Sequence, residues 1–204
     1  MIDRVAAQKE AMAALAAAEK IKGGGFLSSM FSSETPEEKK ISLLEKAAAS
    51  FQMAMLQDEA ANVFYKIAEL REKASEKHEA SRNYQRAGEL FMKSDIEKTM
   101  QCYKKTILIH CENSNFSQAG KLYQELGQIY RDNGRLDDAY TCYKEGLEYL
   151  QNETKFKSLT NACNIKLAEV CIDRESYSEA QQALMTVSSL KPGNIKFQNS
   201  SSYL

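Results

Sequence analysis

Residues 116–150 read FSQAGKLYQELGQIYRDNGRLDDAYTCYKEGLEYL, and this stretch decides the fold. Tyr123 is followed four residues later by Gly127 and seven later by Tyr130; Tyr143 is followed seven later by Leu150. An aromatic, a small residue at i+4 and a bulky one at i+6 or i+7 share one face of a helix. The small residue lets a neighbouring helix come close. Between the two halves lies DNGRLDD, 132–138, where Asn133-Gly134 reads as a helix stop. The stretch is therefore two helices joined by a short turn.

The same beat extends upstream. Phe64, Tyr84, Tyr103, Tyr123 and Tyr143 are spaced by 20, 19, 20 and 20 residues. Ala68, Gly88 and Gly127 follow at i+4, and Leu70, Leu90, Ile109, Tyr130 and Leu150 supply the bulky position. Tyr103, Tyr123 and Tyr143 are expected in the core. Polar breaks fall between beats: LQDE (56–59), ASEKHE (74–79), KSDIE (93–97), ENSNF (112–116), NETKF (152–156) and DRESYSE (173–179). Ser94-x-x-Glu97 and Ser176-x-x-Glu179 fit a capping box. Thr35-Pro36-Glu37-Glu38 is the sharpest start signal, with a Thr cap, Pro at the first helical position and Glu at the third. Helices of about 15 residues, paired every ~40, predict an all-α, tetratricopeptide-like α-solenoid of antiparallel helix hairpins; the standard tetratricopeptide period is ~34. One helical-repeat domain is expected over 1–204, with a first helix over 1–22, stacked hairpins over 35–190 and a polar tail over 191–204.

Composition agrees. The chain has 204 residues, 43% hydrophobic and 27% charged, with only 9 Gly and 2 Pro, as an all-helical globular protein requires. Lys+Arg total 27 against 28 Asp+Glu, so nothing recommends a nucleic-acid partner. No signal-peptide pattern opens the chain, and no apolar run approaches the ~20 residues of a membrane span. Cys102, Cys111, Cys142, Cys163 and Cys171 form no C-x-x-C pair and read as small buried hydrophobes in a reduced, cytoplasmic protein.

Residues 23–34, GGGFLSSMFSSE, interrupt the helical pattern. Phe26, Leu27, Met30 and Phe31 stand among glycines and serines that break helices. Burying one such side chain is worth roughly 1.5–3 kcal/mol. The loop therefore either folds back onto the body or buries itself in something else.

No chemistry-bearing constellation accompanies this pattern. His78 and His110 have no partner at metal-ligand helical spacing, and GGG at 23–25 lacks the preceding strand of a phosphate loop. Carboxylates spread along helices beside lysines, as in Glu69-x-x-x-Lys73, read as solvated ion pairs. A binding protein without catalytic residues, cofactor or metal is expected.

Six stretches carry a resemblance to a known family: EAMAALAAAEK (10–20), GFLSSMF (25–31), EKAAASFQMAMLQDEAANVFYKIAEL (45–70), SEKHEASRNYQRAGELFMKSD (75–95), FSQAGKLYQELGQIY (116–130) and NACNIKLAEV (161–170). In order and spacing they resemble the SNAP family, soluble attachment proteins that couple SNARE complexes to the ATPase NSF, and most closely its alpha/beta branch. The resemblance implies a twisted sheet of α-hairpins that binds the four-helix SNARE bundle (syntaxin-type) through a basic concave face. It implies recruitment of an NSF-type AAA ATPase for disassembly in vesicle-mediated transport, on the cytosolic face of membranes. It also implies that Phe26, Leu27, Met30 and Phe31 dip into the bilayer as a peripheral, reversible contact. Family lysines that grip the bundle match Lys93, Lys121 and Lys166. Two other family basic positions fall on Asn115 and Ala162, and Lys155 and Lys157 are candidates to compensate. The family continues through further helices that engage the ATPase, whereas this chain stops at KFQNSSSYL. A short form that binds SNAREs without recruiting the ATPase, or a generic peptide-binding scaffold, are the alternatives.

Overall fold

The computed structural model describes residues 3–21, 35–150 and 156–187. Among them are nine helices and no strand: α1 (Arg4–Lys20), α2 (Pro36–Met53), α3 (Gln57–Lys73), α4 (Lys77–Phe91), α5 (Ile96–Glu112), α6 (Phe116–Asp132), α7 (Leu136–Leu150), α8 (Lys157–Asp173) and α9 (Tyr177–Met185). The breaks read from the sequence at 56–59, 74–79, 93–97, 112–116, 132–138 and 173–179 overlap the turns between these helices, while 152–155 lies outside the described residues. Packing divides the chain into two compact units, residues 1–114 and 115–204, and each is described by itself.

One local device recurs at the turns. After α2, α3, α5, α6 and α8, a single residue takes a left-handed conformation: Met55, Ser75, Ser114, Gly134 and Glu175, with φ between 55° and 72°. In four of these turns the next amide reaches back to the carbonyl five residues earlier: Leu56 to Phe51, Glu76 to Arg71, Arg135 to Tyr130 and Ser176 to Cys171, at 2.8–2.9 Å. This closes the orphan carbonyls of the helix end. Only Gly134 is a glycine, which is why the turns are not announced by glycine in the sequence.

The capping box at Thr35 is formed. Thr35 Oγ1 accepts from the Glu38 amide at 3.1 Å, and the Thr35 amide donates to Glu38 Oε2 at 2.6 Å. The other two expected boxes are not. At α5 the cap is Asp95, which accepts from the Lys98 amide at 3.0 Å, while Ser94 Oγ donates to Asp58 in the first turn of α3. The helix therefore begins one residue later than a Ser94 cap would place it. Ser176 precedes α9 but makes no capping bond, and Glu179 instead accepts from the Tyr140 hydroxyl at 3.2 Å.

In the first unit, consecutive helices pack as antiparallel hairpins. The buried face of α1 is Ala7, Ala11, Ala14 and Ala18, against which α2 sets Ala47 and Ala48. Ion pairs from Glu19 to Lys66 and from Glu72 to Lys105 tie α1 to α3 and α3 to α5. Arg86 donates to Gln52 between α4 and α2. The unit therefore has two layers, α1/α3/α5 and α2/α4.

The aromatic beat is the packing mechanism. A Cβ on Gly88 would stand 2.9 Å from the Tyr103 ring, and one on Gly127 would stand 2.7 Å from that of Tyr143. Each small residue is the seat of the next helix's aromatic. In the second unit the exchange is mutual: Gly120 seats Leu150, and Gly146 of α7 seats Tyr123 of α6. Tyr84, Tyr103 and Tyr143 are buried. Tyr123 is only half-buried, because its ring continues outward into a stack with Tyr149, which in turn stacks on Phe116.

Candidate functional site

The apolar tetrad Phe26, Leu27, Met30 and Phe31, together with Lys155, lies outside the described residues. The remaining lysines divide between the units. Lys93 is exposed in the α4–α5 turn of the first. Lys121 on α6 and Lys166 and Lys157 on α8 belong to the second.

The second unit brings Lys121 and Lys166 to one side. Gln124 Nε2 of α6 donates to the Leu159 carbonyl of α8, and Arg131 of α6 bridges Glu169 and Asp173 of α8. The facing stripes are thus Gln124, Gln128 and Arg131 on one helix and Leu159, Glu169 and Asp173 on the other. Lys121 stands three and seven residues before Gln124 and Gln128; Lys166 stands three and seven before Glu169 and Asp173. Both therefore continue these stripes. Ala162 lies on the same α8 stripe and is exposed, while Asn115 is the residue preceding α6. Lys157 is nine residues before Lys166, half a turn off that stripe.

The charges on this side are not equivalent. Lys121 is exposed and makes no ion pair with a described residue. Lys166 Nζ is held by Glu169 Oε2 at 3.1 Å. Arg131 is bound by Asp173 at 2.6 Å and by Glu169, and these bonds hold its guanidinium charged, with its pKa raised. Lys166, Arg131, Glu169 and Asp173 balance in charge, which leaves Lys121 as the uncompensated cation of the pair. The Arg131 hub escaped the sequence reading. Its signal was present: 38 and 42 residues separate it from Glu169 and Asp173, about one hairpin period.

Nothing in the described residues is arranged as a reactive site. Burial pushes the Cys102 and Cys163 thiols up to about 12, the reverse of an activated nucleophile. His110 and His78 are brought near each other by the α4–α5 hairpin. Burial first, and then the His78 charge, lowers the His110 pKa. Among the described residues no group of three or more His, Cys, Asp or Glu is placed to hold a metal ion. No described helix is long and apolar enough to cross a membrane.

A family model described as soluble NSF attachment protein, SNAP, matches residues 8–201. The sequence is similar to the alpha-soluble NSF attachment protein of Mus musculus, with 30% identity over 182 residues, 88% of this chain and 61% of that protein. It is similar to the Vitis vinifera protein of the same name, with 26% identity over 81% of this chain and 55% of that one. The beta-soluble NSF attachment protein of Bos taurus is 27% identical over 88% and 61%. The chain thus spans 55–61% of the length of these relatives. Two solved structures resemble the fold: BtubC from P. vanneervenii, with TM-score 0.57 and 12% identity over 87% of this chain and 75% of that one, and a Podosopora anserina putative kinesin light chain of nearly identical TPR-like repeats, with TM-score 0.57 and 15% identity over 91% and 92%. They bear out the all-α, tetratricopeptide-like solenoid class.

Proposed function

The chain is a member of the soluble NSF attachment protein family, a family of adaptors rather than enzymes, and from that premise we propose that it binds assembled SNARE bundles at the cytosolic face of a membrane and presents them to an NSF-type ATPase. The observation that carries this reading is the family match over residues 8–201. The position of Lys121 and Lys166 on neighbouring stripes of α6 and α8 supports it. Lysines facing the acidic surface of a helical bundle set orientation and on-rate more than affinity. With Lys166 already engaged by Glu169, Lys121 is the stronger contributor, and Lys93 adds a separate contact from the first unit. Lys155 and Lys157 supply charge near the start of α8. Phe26, Leu27, Met30 and Phe31 enter the bilayer interface. A weak contact of this kind is multiplied when a SNARE bundle holds the chain at the same surface.

Co-flotation with liposomes carrying an assembled SNARE bundle tests the reading. The wild-type chain floats; Lys93→Glu/Lys121→Glu/Lys166→Glu loses bundle-dependent flotation, and Phe26→Ser/Phe31→Ser loses the lipid-dependent part. A chain indifferent to the bundle at low salt refutes the proposal. ATPase stimulation, measured with the same bundle, reports separately on recruitment.

A further inference from the structure

We propose that a cleft between α1, α2 and α3 binds the headgroup of an anionic lipid, with Lys40, Lys66 and Lys73 as its cationic groups. This deepens the membrane reading above and rests on it.

The cleft has a volume of about 210 Å3. Its apolar wall is Leu15, Leu44 and Leu70, one from each helix, and all three pack on the core of the first unit. Lys40, Lys66 and Lys73 line it together with Glu19 and Glu69, so cations outnumber carboxylates. Lys66 is held only by a 3.6 Å contact to Glu19 between two exposed side chains, a pairing too weak to fix it. Lys40 and Lys73 make no ion pair with a described residue. The Glu69-x-x-x-Lys73 spacing, which the sequence offers as an ion pair, forms no such bridge; Lys73 remains available to an outside anion.

The combination selects an amphiphile. A small soluble anion needs only the lysines. A lipid also uses the leucine wall, with its phosphate at the cationic rim and its glycerol against the apolar side chains. Location gives the second argument. Glu19 lies two residues before Ile21, where the described chain breaks off. Lys40 lies five after Thr35, where it resumes, and Lys73 ends α3. The antiparallel α2–α3 hairpin puts Thr35 and Lys73 at the same end of the unit. The cleft therefore opens beside both attachment points of the segment that carries Phe26, Leu27, Met30 and Phe31. Lysines near a membrane surface interact with anionic lipid strongly enough for a pair to be measurable.

Vesicle co-sedimentation of the full chain at low and raised salt tests this, with vesicles of phosphatidylcholine alone and of phosphatidylcholine mixed with phosphatidylserine. The wild type partitions more strongly onto the anionic vesicles, and raised salt reduces the difference. Lys40→Gln/Lys73→Gln lowers binding to the anionic vesicles by about tenfold or more and leaves phosphatidylcholine binding unchanged. The charge-matched Lys9→Gln/Lys144→Gln, at exposed sites that do not line the cleft, keeps the preference. Far-UV circular dichroism checks that all variants remain folded. The proposal is overturned if the cleft variant keeps the anionic preference, if the control loses it equally, or if the wild type shows none. Displacement from anionic vesicles by soluble glycerophosphate would assign the cleft to phosphate esters at large and overturn the lipid assignment. Phe26→Ser/Phe31→Ser reports on the loop alone: loss of phosphatidylcholine binding supports the loop reading, and its persistence refutes that reading whatever the cleft does.

Discussion

Gly127→Ala tests the packing rule on which this fold is built. In the middle of a helix, alanine is favoured over glycine by about 1 kcal/mol. A helix that merely tolerated glycine at position 127 would gain by the change. Here the added Cβ would lie 2.7, 2.8 and 3.0 Å from Cζ, Cε1 and Cε2 of Tyr143. Carbon atoms prefer separations of about 3.5–4.0 Å, so the overlap is close to an ångström. Tyr143 is 0% exposed and its ring cannot swing into solvent. Overpacking of this kind costs about 1–3 kcal/mol, and after the propensity gain of about 1 kcal/mol a net loss of up to about 2 kcal/mol is expected. Tyr143→Leu removes the ring atoms that are struck. In that background Gly127→Ala should reverse sign and stabilise by up to about 1 kcal/mol. Tyr143→Phe retains Cζ, so the penalty should persist there. The phenylalanine alone should stabilise by about 1 kcal/mol, because the buried Tyr143 hydroxyl finds no hydrogen-bond partner among the described residues. Urea denaturation followed by far-UV circular dichroism measures all members of the cycle. A Gly127→Ala protein more stable than wild type, or additive behaviour with Tyr143→Leu, would refute the reasoning.

Gly134→Ala carries strain without a clash, since φ is +72° and nothing lies within 4 Å of the added carbon; a loss of about 1 kcal/mol is expected, and Ser75→Gly, at φ 62°, should gain a similar amount in the same denaturation assay. Because burial and His78 lower the His110 pKa, the folded state resists a proton that the unfolded chain accepts near the ordinary value of 6.5; stability is full above that pH and falls as pH drops through it. Melting temperatures between pH 7.5 and 5.5 should decline, and His110→Gln should flatten that decline. Under native conditions Cys111, half-buried where the other four cysteines are buried, should be alkylated first, with Cys102 and Cys163 reacting only on unfolding; mass spectrometry after timed iodoacetamide treatment reads the order.

How much was legible follows from which interactions are local. The turn positions, the Thr35 capping box and the helix stop at Gly134 depend on residues within a few positions of one another, and each was readable. The two misplaced caps show the limit even there: Ser94 and Asp95 are both competent caps, and the choice fell to Asp95 because Ser94 is drawn to Asp58, 36 residues away. The aromatic beat marked the core, but it did not reveal that Tyr123 would turn outward into a stack with Tyr149 and Phe116. Of the lysines, the one-dimensional pattern named Lys121 and Lys166 as equals, and the structure shows them unequal: Lys166 pairs with Glu169 three residues on, a carboxylate that Arg131 of α6 also binds, whereas Lys121 makes no ion pair with a described residue. The cleft of Lys40, Lys66 and Lys73 had no sequence signature, since its cations come from two helices whose facing depends on how α1, α2 and α3 pack.

The sequence by itself determined the class of fold, the order of the helices and the register of small and aromatic residues, because helix periodicity, caps and breaks are written in short-range spacing. Which charges are spent on one another between helices was left to the packing. Charge pairing operates over a few ångströms between residues up to 42 positions apart, and that distance exists only once the hairpins have stacked.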